Sequence, residues 1–244
     1  MHGEANDLGD IPGSVRSFET VLRLGPSARP RNTSSVGAIA RTLASVGLAV
    51  LVSGGEALAQ KQEGPAPDVV VYASDLPESA LSEFDFWNDA ASPGGKMIGT
   101  PNRGDELDPP PENDPHVTFK VRVQRGIPYR CWIHIKVGKP KGKSQANLFF
   151  VQFTDVVDAN REIFAPGTAS YLSVRGPAAE GWAWTGRDLA DPQASEPRIY
   201  FRTSGEVTVR MQAGMEGVGF DQFILSPARF QEKPPSEAVV AKPR

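Results

Sequence analysis

The stretch Val117-Thr118-Phe119-Lys120-Val121-Arg122-Val123-Gln124 decides the fold class. Val117, Phe119, Val121 and Val123 fall on one side of an extended chain, and Thr118, Lys120, Arg122 and Gln124 on the other. Side chains along a strand alternate between the two faces, so this period of two describes a half-buried antiparallel strand. Gly126 opens a turn, and Tyr129, Cys131, Ile133, Ile135 and Val137 continue as the next inward face. Lys139 to Lys143 reads as a solvated hairpin tip. Further on, Phe149, Val151 and Phe153 mark a strand, as do Ile199 with Phe201, then Val207, Val209 and Met211, and finally the run 218–225.

No long amphipathic helix interrupts this series, and the 24 Gly and 22 Pro supply the turns that many short strands need. The expected fold is all-β, a two-sheet antiparallel β-sandwich spanning residues 68–231. Residues 74–95 and 100–115 are turn-rich. The tail 232–244 contains Pro and Lys and is expected to be disordered.

The N-terminal residues 1–59 are read as an extension plus a targeting segment. Residues 42–53 form an apolar run preceded by Arg41 and followed by Ala57-Leu58-Ala59, so a signal peptidase would cut before Gln60. The run is shorter than the ~20 apolar residues that span a bilayer, so no stable membrane insertion is expected after cleavage. A buried core helix is the competing reading, but Gly54-Gly55-Glu56 would continue it poorly. Residues 60–67 then form a linker. The mature protein is expected to be secreted or periplasmic.

Composition removes several classes of function. A net charge of −3 gives no basic field for nucleic acid phosphates. A single cysteine, Cys131, excludes a disulfide framework, and it sits among inward-facing positions as a small buried hydrophobe. Three histidines, His2, His116 and His134, show no paired metal-ligand spacing. The Gly-x-Ser-x-Gly nucleophile elbow is absent. Asp105, Glu106, Asp108, Glu112 and Asp114 lie in a Pro-rich loop, a poor support for paired catalytic carboxylates. The expectation is a domain that is not an enzyme.

Four motifs in order, Ser92-Pro93-Gly94-Gly95-Lys96, Pro128-Tyr129-Arg130-Cys131-Trp132-Ile133, Gly181-Trp182-Ala183-Trp184 and Gly219-Phe220-Asp221-Gln222-Phe223-Ile224-Leu225, resemble the galactose-binding-like jelly-roll domains of bacterial secreted proteins. That class includes many carbohydrate-binding modules. The resemblance covers about residues 68–230. It implies a polysaccharide or glycan as partner and a structural calcium near Asp75, Lys96 and Asp221. Calcium takes six to eight oxygens, which carbonyls around Gly95-Lys96 would help to supply. The alternative roles are a turn cap for Asp75 and a hydrogen bond within the closing strand for Asp221. The chain departs from the family at Ala73-Ser74-Asp75, where one acid is missing, and at Thr185-Gly186-Arg187-Asp188 beside the Trp pair.

Candidate carbohydrate-binding residues are Trp182, Trp184, Arg187 and Asp188. Sugar C–H faces stack on aromatic rings while hydroxyls need directed polar partners. Two apart in an extended segment, the tryptophans point the same way, so both plug the sandwich or both form a platform. Trp132 and His134 lie opposite Cys131 on a face shared with Arg130 and Lys136, which reads as partly solvated. Trp132 is a further platform candidate, with cover by long loops as the competing reading. The functional expectation is a secreted, non-catalytic carbohydrate-binding-like domain. The alternative is a structural or protein-interaction β-sandwich of the cell envelope with no sugar site.

Overall fold

In a computed structural model, Val117, Phe119, Val121 and Val123 all point into a core while Thr118, Lys120 and Arg122 face solvent. The structure describes residues 66–140, 146–189, 193 and 196–243. The N-terminal extension, the signal segment, most of the 60–67 linker and most of the Lys139–Lys143 tip lie outside the described residues.

Among the described residues thirteen strands follow in chain order. They are β1 (Val69–Tyr72), β2 (Leu81–Ser82), β3 (Asp85–Asn88), β4 (Lys96–Gly99), β5 (His116–Val123), β6 (Arg130–Val137), β7 (Leu148–Phe153), β8 (Val157–Asp158), β9 (Arg161–Glu162), β10 (Leu172–Arg175), β11 (Gly181–Thr185), β12 (Gly205–Ala213) and β13 (Gly219–Ser226). One sheet runs β11-β6-β13-β4-β3, with β1 also on β13, and the other runs β10-β7-β12-β5-β2. All these pairings are antiparallel, and β8 and β9 form a separate hairpin. This is the expected two-sheet jelly-roll sandwich. Two strands share one edge of β13: β4 pairs at Gly219 and Phe220, and β1 pairs from Gln222 to Leu225.

The core follows from register. On β12, Val207, Val209 and Met211 pair with Val121, Phe119 and Val117 of β5. The facing sheet contributes Ile133, Ile135, Phe220 and Phe223, and Phe119 packs edge-on against Phe223 at 5.2 Å between ring centres. Burying side chains of this size contributes about 1.5–3 kcal/mol each.

Four segments differ from the sequence reading or go beyond it in three dimensions. Ile199 and Phe201 are buried but make only isolated bridges, to Tyr129 and Val156 respectively. The segment changes partner every two residues across the end of the sandwich, so no ladder propagates. On β7, the outward residues are buried along with the inward ones. The following loop folds back over them, and Gln152 Nε2 donates to the carbonyls of Ala165, Thr168 and Ser170. The extended segment Gly181-Trp182-Ala183-Trp184 is an edge strand paired with β6.

The fourth change concerns the tail, expected to be disordered. Residues 237–242 of this tail lie against the outer face of the six-stranded sheet, and Val240 is 1% exposed. Composition marks this segment as unable to fold alone. The apolar face offered by Val70, Trp132 and Ile224 gives Val240 a place to bury.

Candidate functional site

The outer face of the six-stranded sheet gathers most of the candidate residues. Gly181 starts β11 at φ 112°, a left-handed value that favours glycine. Gly186 follows the strand at a close crossing, where a Cβ would lie 2.4 Å from the Cys131 carbonyl. These two glycines bracket Trp182 and Trp184 and lay β11 along β6, with Trp182 opposite Lys136 and Trp184 opposite His134.

His134 is the hub. Its ring centre is 4.8 Å from Trp182, nearly parallel, and 4.8 Å from Trp184. His134 Nδ1 donates to Asp221 Oδ1 at 2.8 Å. Asp221 faces outward because β13 carries a bulge between Phe220 and Gln222. Both indoles remain half-buried.

A charged pair borders Trp182. The Lys136 ammonium stands 4.9 Å from the centre of the Trp182 ring and 2.9 Å from Asp89 Oδ2. The Asp89 pKa is lowered, chiefly by the hydrogen bond from Lys136. The Ala91 N–H and the Trp182 indole add to this, against the opposing effect of burial.

Trp132 is only 4% exposed, which corrects its reading as a platform on a partly solvated face. Its Nε1 donates to the Phe230 carbonyl at 2.8 Å. The chain after β13 covers it, so the face of β6 opposite the core is dry at Trp132 and His134.

Arg187 and Asp188 serve ion pairs away from the indoles. Arg187 Nε lies 3.6 Å from Glu196, which also pairs with Arg130. Asp188 lies 3.2 Å from Arg175 Nε and accepts from Ser173 Oγ. The structure therefore brings Trp182, Trp184 and Asp221 together around His134, packs Trp132 in the apolar cluster that Trp184 borders, and directs Arg187 and Asp188 toward β10 and Glu196.

The groups read as calcium ligands have protein partners in this structure. Asp75 pairs with the Lys242 ammonium, and Asp221 accepts from His134. The Gly95 carbonyl accepts from the Asp89 N–H at 3.0 Å, and Lys96 places its ammonium over the Phe86 ring. Among the described residues no group of three or more His, Cys, Asp or Glu is placed to hold a metal.

Asp89, Lys136, Gln222 and Tyr72 escaped the sequence reading as site residues. Lys136 was legible as sharing the His134 face, but its position against Trp182 depends on pairing between residues 46 apart in the chain (182 against 136). Trp87, 45% exposed, also went unnoticed. It lies with Glu78, Asp85 and Phe86 along a groove at the β3 edge.

No protein-family model matches the sequence, and no curated protein matches it. The chain is similar in structure to carbohydrate-binding modules. A family 35 module from Clostridium thermocellum is 14% identical, with a TM-score of 0.38 over 64% of this chain and 97% of that one. A module of a Cellvibrio mixtus lichenase, solved with cellotriose, is 11% identical, with a TM-score of 0.40 over 66% and 97%. A Podospora anserina β-(1,4)-mannanase bearing such a module is 12% identical, with a TM-score of 0.42 over 68% of this chain. The match spans 28% of the mannanase's length. At these identities and scores the likeness carries no information on ligand.

Proposed function

We propose that this is a secreted, non-catalytic carbohydrate-binding domain that takes a glycan along the β11 edge. The observation that carries the reading is Trp182, half-buried on an edge strand, with the Lys136–Asp89 pair beside its ring. A pyranose replacing the ammonium over the indole would stack its C–H face there, and Lys136 and Asp89 would hydrogen-bond its hydroxyls. Export is supported by the apolar run 42–53 and Ala57-Leu58-Ala59. N-terminal sequencing of exported protein should read from Gln60, and a start before residue 54 would refute the export step.

The binding test is titration of a polysaccharide panel with wild type, Trp182→Ala and Trp87→Ala. The expected result is loss of binding in Trp182→Ala alone, with the fold retained. Loss in Trp87→Ala alone would move the site to the β3 groove. A wild type that binds no member of the panel would favour the second reading, a protein-interaction domain of the cell envelope. One observation supports that alternative: a peptide segment already lies across the same face of the sheet.

A further inference from the structure

Residues 237–242 run over the outer face of the six-stranded sheet from β11 to the end of β1. The contacts fall on successive strands. Trp184 Nε1 of β11 donates to the Glu237 carbonyl at 2.8 Å. Gln222 of β13 donates through Nε2 to the Ala238 carbonyl at 2.8 Å and accepts from the Val240 N–H at 2.9 Å. The Tyr72 hydroxyl at the end of β1 donates to the Val240 carbonyl at 2.9 Å. Beyond it, Lys242 pairs with Asp75 and holds its ammonium 4.7 Å from the Tyr72 ring centre.

These are the features of a peptide-binding groove. Three side chains of the sheet read the backbone, which any extended peptide offers. One apolar pocket, formed by Val70, Trp132 and Ile224 with Phe230 and edged by Tyr72 and Trp184, takes the Val240 side chain. One carboxylate, Asp75, takes a basic residue two positions later. Backbone recognition gives affinity, while the pocket and the charge give specificity.

The occupant is lightly held. Residues 236–239 are exposed between two buried residues, Pro235 and Val240, and 241–243 are exposed again. Among the described residues no strand pairing ties the segment to the sheet; sheet side chains bond its backbone, and its two ion pairs, Arg229–Glu237 and Lys242–Asp75, are solvent-exposed. By contrast, the chain just before it is anchored: Phe230 N–H donates to Ser226 Oγ, and Gln231 Nε2 donates to the Ser226 and Pro128 carbonyls. A short tether of this kind keeps a weak ligand at an effective concentration on the order of millimolar.

We propose that this face is a peptide-recognition groove and that residues 237–242 are its displaceable intramolecular ligand. The groove takes extended peptides with an apolar residue followed two positions later by a lysine. The inference is independent of any glycan bound at Trp182.

The test uses a labelled synthetic peptide of residues 234–243 added to the full chain. In wild type the groove is filled from within, so apparent affinity falls with the open fraction. Val240→Ser in the chain removes the apolar anchor and should tighten peptide binding by about tenfold or more. Adding Gln222→Ala to Val240→Ser should weaken it again, and a peptide with serine in place of Val240 should not bind. Equal binding to wild type and Val240→Ser, or no binding to Val240→Ser, would overturn the proposal. Hydrogen exchange on unaltered protein decides independently of whether the variant folds. The Val240 amide should exchange through local opening, well ahead of the Phe223 and Ile224 amides. Exchange of all three at one rate would mean that the segment leaves only on global unfolding, and the groove would not be displaceable.

Discussion

Asp221 Oδ1 lies 2.8 Å from His134 Nδ1, and the two side chains are 1% and 7% exposed. The bulge in β13 produces this contact. Phe220 and Phe223 are both wholly buried in the core, and a strand without a bulge would point them to opposite faces. The extra residue lets both enter the core and turns Asp221 toward β6. His134 in turn sets the spacing of the two indoles that stack on it.

A buried hydrogen-bonded pair is expensive to break from one side, because the remaining partner stays unsolvated. Asp221→Ala should lower stability by about 1–3 kcal/mol, read by denaturant unfolding. In a double-mutant cycle with His134→Ala, the two effects should sum to more than the double substitution. Additive effects would mean that the contact contributes nothing of its own.

Calcium should leave thermal stability unchanged, since the candidate oxygens are already engaged by Lys242, His134 and the Asp89 N–H. An ion at a hundred times its Kd would add about 2.7 kcal/mol. Melting curves in calcium and in chelator should coincide, and a calcium-dependent gain would show that Asp75 or Asp221 changes partner to bind it.

The Lys136–Asp89 pair gives an acid-dependent increment. The folded-state pKa of Asp89 lies below the ordinary aspartate value of 3.8, so the unfolded chain takes up the proton first. The increment is complete above pH 3.8 and is lost as pH falls through the lower folded value. Asp89→Asn should be less stable than wild type near neutrality, and the gap should close in strongly acidic buffer. A gap that persists there would assign the loss to packing at Trp182.

Trp132 and Trp182 should separate by stability. Trp132→Ala removes an enclosed indole and should cost about 3–5 kcal/mol. Trp182→Ala, on the half-buried edge, should cost distinctly less in the same unfolding assay. Equal losses would place Trp182 with the packing residues and leave the β11 edge without a platform.

Cys131 should be inert in the native state. Burial with no compensating charge pushes its thiol pKa far up, so little thiolate forms at neutral pH. A thiol reagent should modify no cysteine in native protein and one in denaturant, in keeping with the single cysteine of the chain. Fast native labelling would mean that β6 opens on the timescale of the reaction.

The sequence alone determined the strands whose two faces meet different surroundings. β5 alternates strictly because one face meets the core and the other water, and that contrast is written in its residues. The burial of Cys131 and the parallel aim of Trp182 and Trp184 followed from the same period of two. Tertiary structure alone decided the rest. The outer residues of β6 and β7 carry no local sign of burial, because what covers them is set by how the chain folds back: a segment 98 residues on for Trp132 of β6, and the following loop for Gln152 of β7. Arg187 and Asp188 stand next to the indoles in sequence, yet they turn toward Glu196 and Arg175. Neighbours in sequence share a site only when the backbone points them the same way. That direction is fixed by which strand lies alongside, a choice made by long-range burial and not by local pattern.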